Sequence, residues 1–329
     1  MYAKKTIYIE KYVLRLIIFS YALKKMNDIT VLILTYNEEK HIARCIESAQ
    51  TYSKTIYIID SFSTDRTLEI AKNFNVQIYQ NKFINYSTQY KWALKNINID
   101  TKWILRLDAD EYLEDNLINE LNIKLPNISN NIVGINFKRK HIFMNRWIRY
   151  GGRYPLILLR LWKKGHGTIE DRWHDEHIII HNGKTVTFTN NFVDHNLEDV
   201  SFFVKKHNRY SRGEAIEVLS DKLNLRTKPK TFNAENSNLN SYIKRSIKEK
   251  IYNKLPFGWG SFFYFLYRYF ILMGFLDGKV GFSYHFLQGF WYRFLVETKV
   301  LELEKKVAHL DNKNDILSEL SKITNSQHF

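Results

Sequence analysis

One cysteine, Cys45, stands in 329 residues, and that scarcity excludes two classes at once. No internal disulfide framework is possible, and no four-cysteine zinc site can form. A reducing compartment is the matching default, and Cys45, set inside a helical pattern, is expected to be a small buried residue. The sequence also lacks a His-Glu-x-x-His order and a glycine-rich basic phosphate loop, so two familiar routes to metal and nucleotide chemistry are missing. Acidic residues are short against basic ones, 34 to 49, leaving a net charge of +15. Such an excess suits an anionic partner: nucleic acid, nucleotide or an acidic membrane surface. Part of it is compositional, because Ile, Lys and Asn are abundant throughout. What is plentiful is apolar material, 45% hydrophobic and 15% aromatic, enough for one large core or two modest ones and far too much for a disordered chain.

Residues 1–25 place Lys4, Lys5, Lys24 and Lys25 around an apolar stretch from Tyr12 to Leu23 that Arg15 interrupts. The stretch is too short to span a bilayer and has no small-residue cleavage site. It reads as an amphipathic N-terminal extension, with Met26 a candidate natural start. Residues 26–195 then alternate short apolar runs with helical periods, the mark of an α/β domain with a mostly parallel sheet. Strands are expected over Ile29 to Leu34, Thr55 to Ile59, Val76 to Tyr79 and up to Asp108. Helices are expected over Glu38 to Ala49, from the Ser63-Thr64-Asp65 cap to about Phe74, and over Tyr86 to Asn96. Residues 196–329 read as a helical, basic and aromatic region.

Asp108-Ala109-Asp110 follows the apolar run Trp103 to Leu107 at a strand exit. On an extended chain, side chains at i and i+2 point the same way. Two carboxylates aimed together need a cation between them, and hard oxygen ligands suit Mg²⁺ or Mn²⁺ carrying a phosphorylated substrate. In open sheets of this type ligands bind beyond the carboxyl ends of the strands. Thr35-Tyr36-Asn37-Glu38, Asp60 and Asp108-Ala109-Asp110 all sit at such ends, so three segments are expected to meet at one crevice.

The runs Thr30 to Glu39, Ile58 to Thr67 and Leu105 to Glu111, in this order and spacing, resemble family 2 glycosyltransferases over about residues 28 to 195. The resemblance implies a GT-A fold, a Rossmann-like mixed, mostly parallel sheet flanked by helices, and an inverting transfer of sugar from a nucleotide-diphosphate donor, a UDP-sugar being the expected one. Asp110 is then the metal ligand. Asp108 faces the ribose or the metal, Asp60 accepts from the nucleobase, and Thr35, Tyr36 and Glu38 wall the base and ribose. Asp65 is better explained as cap or turn chemistry, and the role of Arg106 stays open.

A single inverting displacement needs a general base for the acceptor hydroxyl. The acid-rich stretch from Gly167 to His177 supplies candidates, and His174-Asp175-Glu176 resembles, with one residue inserted, the His-Glu pair that closes this segment in lipopolysaccharide-core-like members. Glu176 ranks first, Asp175 second and Asp171 third. A rival zinc site of His174, His177 and His181 is disfavoured, because Ile178-Ile179-Ile180 argues for a strand.

Asn208 to Ala215 resembles the helix that follows the catalytic domain in the same subgroup, and the Gln-x-x-Arg-Trp signature of processive synthases is absent. Non-processive addition follows. Phe257 to Leu276 is nearly long enough to span a membrane, but its central Arg268 and its many aromatics favour a helix lying at headgroup level. Phe282 to Phe294 repeats that character. Val300, Leu303, Val307 and Leu310 recur at heptad-like spacing. The expected partners are therefore a nucleotide-sugar donor, a glycan or glycolipid acceptor and an anionic membrane surface, with the protein peripheral on the cytoplasmic face. Nucleic acid is not expected, since acidic clusters in the crevice oppose a phosphate backbone. A non-catalytic polyanion-binding protein and a nucleotidyltransferase using the same Asp-x-Asp site are the rivals.

Overall fold

Asn27–Thr35 (β1), rich in β-branched and leucine side chains, forms a strand whose last seven residues are all buried. The computed structural model describes residues 27–170, 177–225 and 256–325. The described residues fall into two compact units, one running to Ile142 and resuming over Pro155–Leu197, the other made of Phe143–Tyr154 and the chain from Glu198.

In the first unit β1 is followed by α1 (Ile42–Gln50), β2 (Ser53–Asp60), α2 (Thr67–Ala71), β3 (Gln77–Gln80), α3 (Tyr86–Asn96), β4 (Trp103–Asp108), β5 (Glu111–Leu113), α4 (Asp115–Lys124) and β6 (Ile132–Phe143). After β7 (Arg146–Trp147), which falls within the second unit, come β8 (Leu156–Lys163), β9 (Gly167–Ile169), β10 (Ile178–Ile180) and β11 (Lys184–His195). The main sheet runs β3-β2-β1-β4-β8-β6-β11-β5, with β9 and β10 paired separately. Strands β3, β2, β1 and β4 are mutually parallel, and β8 enters antiparallel between β4 and β6.

Period-two alternation divides the core into two layers. Ile29, Val31 and Ile33 join Ile58, Leu105, Leu107 and the α1 face Ile42, Cys45, Ile46 and Ala49 on one side. Leu32, Leu34, Ile59 and Ile104 join Tyr90 and Ala93 of α3 on the other. Each fully buried Leu or Ile contributes about 1.5–3 kcal/mol. Cys45 is fully buried as expected, and burial pushes its thiol pKa well up.

The second expected helix departs from the pattern. It is confined to Thr67–Ala71, because Ser63 and Thr64 bond back to Asn37 while Asp65 accepts from the Thr67 N–H. The 1–25 extension lies outside the described residues.

The second unit packs α5 (Val200–Lys222) against α8 (Tyr292–Val307). Asp199 caps α5 by accepting from Phe202 N–H at 2.7 Å. Ala215, Ile216 and Leu219 meet Tyr292, Val296, Leu303 and Val307, so the heptad-like residues serve this unit's own core. Ile316 and Leu320 of α9 (Lys313–Asn325) close it.

Phe257 to Leu276 is not one helix. It contains α6 (Trp259–Leu266), a π-helical turn over Tyr267–Ile271, Met273 at φ 57°, and a 3-10 turn over Gly274–Asp277. α7 (Gly278–Tyr284) and a second π-helical segment, His285–Trp291, follow. Arg268, expected at headgroup level, is only 3% exposed. No helix among the described residues is long and apolar enough to cross a membrane.

Candidate nucleotide-sugar site

Parallel pairing aligns three strand ends. Thr35 is the register partner of Asp60, and Leu34 that of Asp108, so the carboxyl ends of β1, β2 and β4 finish level. Ligands bind beyond such an edge because the chains must splay apart there into loops.

Two of those loops are tied together. Asn37, at φ 55°, donates its N–H to Ser63 Oγ at 2.9 Å and accepts from Thr64 N–H through Oδ1 at 2.7 Å. Asn tolerates the left-handed region better than a branched residue would. Glu38 N–H donates to Thr67 Oγ1 at 2.7 Å, and Glu39 and Arg66 close the outer edge. Thr35 is buried and Tyr36 half-buried. Glu38 has a further partner, for its Oε2 lies 2.6 Å from His41 Nδ1 while His41 Nε2 accepts from Leu197 N–H at 2.8 Å.

Asp60 is fully buried. Its Oδ2 accepts from Ser63 N–H and from Gln80 Nε2, both at 3.0 Å, and its Oδ1 accepts from the Ser63 hydroxyl. In this arrangement its oxygens hold the loop, the alternative role that a turn Asp commonly takes.

Asp108 closes β4 and Ala109-Asp110 form a turn, so the extended alternation expected for the two carboxylates is broken. They face different partners. Asp108 Oδ1 receives the Tyr90 hydroxyl at 3.4 Å, whereas Asp110 Oδ2 receives Asn196 Nδ2 at 3.1 Å. Arg106, two residues before Asp108 and on the same strand face, stacks its guanidinium 4.6 Å from the Tyr90 ring centroid.

Residues 30–189 match the model of the family described as glycosyl transferase family 2. The chain carries a family 2 glycosyltransferase domain. An uncharacterized glycosyltransferase of Rickettsia typhi is 34% identical over 96 residues, 29% of this chain and 32% of its own. The lipopolysaccharide core biosynthesis glycosyltransferase LpsC of Rhizobium meliloti is 30% identical over 117 residues, 34% of this chain and 42% of that protein. A dolichyl N-acetyl-alpha-D-glucosaminyl phosphate 3-beta-D-2,3-diacetamido-2,3-dideoxy-beta-D-glucuronosyltransferase of Methanococcus voltae is 36% identical over 107 residues, 28% of this chain and 33% of that one. The matches thus span well under half of each relative's length.

Among the described residues of the glycosyltransferase domain, no three His, Cys, Asp or Glu side chains gather into a ready-made metal cage. The donor set of Asp108 and Asp110 nonetheless fits a hard divalent ion, which is commonly held by one or two carboxylates together with substrate phosphates. Asp108 Oδ2 and Asp110 Oδ1 each lack a protein hydrogen-bond partner among the described residues.

Several residues supporting the candidate site were not singled out by sequence. Glu111 Oε2 accepts the Asp108 N–H at 3.0 Å, and its Oε1 meets Arg160 Nη2 at 2.5 Å. Arg44 donates to the His195 carbonyl at 2.6 Å, and His195 N–H donates to the Asp110 carbonyl at 3.0 Å. Burial, then Arg44 and His41, hold the His195 pKa below its usual range, so the ring is neutral near pH 7. Glu111 lies inside the run that carries the family resemblance, which is the one signal that marked it. The other contacts join segments far apart in sequence.

Asp171, His174, Asp175 and Glu176, including both residues expected to supply the base, lie outside the described residues. Ile178–Ile180 is a strand, as its β-branching predicted, and His181 Nε2 pairs with Thr168 Oγ1 at 2.8 Å.

Proposed function

We propose that this protein transfers a sugar from a nucleotide-diphosphate donor, a UDP-sugar by expectation, to a glycan acceptor of the lipopolysaccharide-core or lipid-linked kind. One observation carries the reading: Thr35, Asp60 and Asp108 end three adjacent parallel strands in register, with Asp110 in the turn beyond. Thr35, Tyr36 and Glu38 wall the base and ribose. Asp60, with Ser63 and Gln80, fixes that wall and holds the residues that meet the base.

Asp110, with Asp108 beside it, would hold Mg²⁺ or Mn²⁺, whose charge offsets that developing on the leaving diphosphate. Asn196 orients the Asp110 carboxylate, and Tyr90 orients Asp108. Glu176 takes the proton from the attacking acceptor hydroxyl, with Asp175 next in rank, and attack opposite the departing diphosphate inverts the anomeric centre. A single addition occurs per encounter.

Two relatives whose names specify a lipopolysaccharide core and a dolichyl-linked sugar phosphate support a lipid-borne acceptor. Exposed aromatics of the C-terminal unit, among them Trp259, Phe263, Phe270 and Phe275, suit peripheral attachment to the inner face of the cytoplasmic membrane. A panel of nucleotide sugars screened for Mn²⁺-dependent binding and hydrolysis tests the reading. One nucleotide sugar is expected to be selected, and indifference to the whole panel would refute it.

A further inference from the structure

The C-terminal unit contains a guanidinium cluster that the proposed donor chemistry does not use. Arg268, on the π-helical turn Tyr267–Ile271, is 3% exposed. Its Nε donates to the Gly151 carbonyl at 2.8 Å and its Nη1 to Gln288 Oε1 at 2.7 Å, while Nη2 is buried with no partner among the described residues. None of these contacts is a carboxylate. A buried charge is rarely left without a counter-ion, because its lost hydration is then uncompensated.

Other cations reinforce the same region. The guanidiniums of Arg268 and Arg293 stand 5.6 and 4.9 Å from the Tyr264 ring centroid, and that of Arg153 stands 5.3 Å from the Tyr284 ring, with its Nε buried and without a partner among the described residues. Burial raises the Tyr264 phenol, but Arg268, Arg293 and Arg153 outweigh it and hold the pKa below its usual value. Among the described residues, the nearby acids Asp277 and Glu214 are committed elsewhere. Asp277 accepts the N–H groups of Arg149 and Tyr150 at 3.2 and 2.9 Å, and Glu214 accepts the Tyr292 hydroxyl at 2.6 Å and faces Arg293 at 3.7 Å. Arg268 and Gln288 both project from π-helical turns, a distortion that is rare and found mostly at functional sites.

Around this cationic interior the unit's surface is apolar. Phe263, Phe270, Ile271, Phe282 and Phe286 are all exposed, Ile271 to 68%. Stacked rings link Phe265 to Tyr269 and Phe282 to Phe286, so the surface is continuous. A phosphate head with an apolar tail matches both halves, since guanidinium is the side chain best shaped for phosphate and the exposed rings suit the acyl boundary.

We infer that Arg268, flanked by Arg153 and Arg293, binds the phosphate or diphosphate head of a membrane-resident lipid whose tail lies against the exposed aromatic face. The head group is thus the feature by which a lipid-linked acceptor is recognised, which rests on the transferase reading above.

The full chain is sedimented with phosphatidylcholine vesicles carrying either phosphatidic acid, a phosphomonoester, or phosphatidylserine at equal total charge, and inorganic pyrophosphate is titrated separately by thermal shift. Phosphatidic acid vesicles are expected to bind about tenfold more tightly, with Arg268→Gln reduced to the phosphatidylserine level. Should Arg268→Gln fail to fold by circular dichroism, Arg153→Gln, at a half-exposed position, carries the test and is expected to lose binding severalfold. Equal binding of the two anionic vesicles, or unchanged binding by a folded variant, overturns the site. Stabilisation by pyrophosphate without vesicle binding assigns a free anion and overturns the lipid. UDP binding in Mn²⁺ is measured alongside on the unsubstituted protein. Vesicle selectivity without UDP binding removes the transferase reading alone, and UDP binding without selectivity removes this site alone.

Discussion

Glu111 accepts the backbone N–H of Asp108 through one carboxylate oxygen and meets Arg160 through the other, so one side chain ties the Asp108 to Asp110 turn to β8. Both partners are under a tenth exposed, at 3% and 7%. Burial pushes the Glu111 carboxyl up to about 8, with Arg160 pulling against it and Asp108 adding to the rise. At pH 7 the carboxyl is therefore mostly protonated, and Gln at 111 keeps an acceptor both for the Asp108 N–H and for Arg160. Glu111→Met removes both acceptors and leaves the buried Arg160 donors unpaired, which costs about 3–5 kcal/mol. In urea titration at pH 7, Glu111→Gln is expected to change unfolding stability by about 1 kcal/mol or less, Glu111→Met to lower it by about 3 kcal/mol, and Glu111→Met with Arg160→Met to recover most of that loss. A Glu111→Met variant as stable as the parent protein would show that the pair does not hold the turn.

Asp110 is half-buried with one side-chain donor, Asn196, so its removal disturbs little structure. Asp110→Ala is expected to change stability by about 0.5 kcal/mol or less, yet to cut transfer by about 100-fold or more, equivalent to about 2.7 kcal/mol of barrier. Initial rates in Mn²⁺ and calorimetric Mn²⁺ titration measure the two effects. Chelation of the unsubstituted protein should reproduce the loss, and Mn²⁺ should restore it. Turnover unchanged in Asp110→Ala would remove this residue from the metal site.

The sequence made β1, β2, β4 and α3 legible because their apolar runs and periods are local, and Asp108 and Thr35 were therefore placed correctly at strand ends. The helix expected from Ser63 was misread because hydrogen bonds to Asn37, 26 and 27 residues away, compete with helical capping at Ser63 and Thr64. The Glu111 to Arg160 pair spans 49 residues, and Arg160 sits in an apolar strand run where nothing local announces a partner. Arg268 was expected in an exposed setting because hydropathy cannot register the Gly151 carbonyl, 117 residues away, that draws it inside. What stayed hidden was pairing at long range, and it was polar pairing in each case.

The proposed reaction needs a base, since a hydroxyl nucleophile must lose its proton as it attacks, and Glu176 is the residue proposed for it. Glu176→Gln is expected to lower kcat by about 100-fold or more while leaving the donor KM within about twofold, and to remove the acidic limb of the pH–rate profile. Steady-state kinetics with saturating acceptor separates these terms. Abolished transfer in Asp175→Asn, with Glu176→Gln still active, would reverse the ranking.

Glu120 gives the fold a dependence on acid that can be measured without substrate. The β11 strand shifts register between Thr187 and Asn191, freeing the N–H groups of Thr189 and Asn190, which Glu120 accepts at 2.9 to 3.0 Å. Burial opposes its ionisation, but Lys124 at 2.6 Å and those N–H groups outweigh it and hold the carboxyl at about 2. Because the folded pKa lies below the unfolded one, the stabilisation is complete above about pH 4.5 and is lost as pH falls toward 2. Allowing for solvent screening, about 2 kcal/mol is at stake. Glu120→Gln is expected to be less stable than the parent by that amount at pH 7, with the gap closing between pH 4.5 and pH 2. Equilibrium denaturation across that window reads the gap directly, and a difference that stays constant with pH would mean that Glu120 holds the bulge by shape rather than by charge.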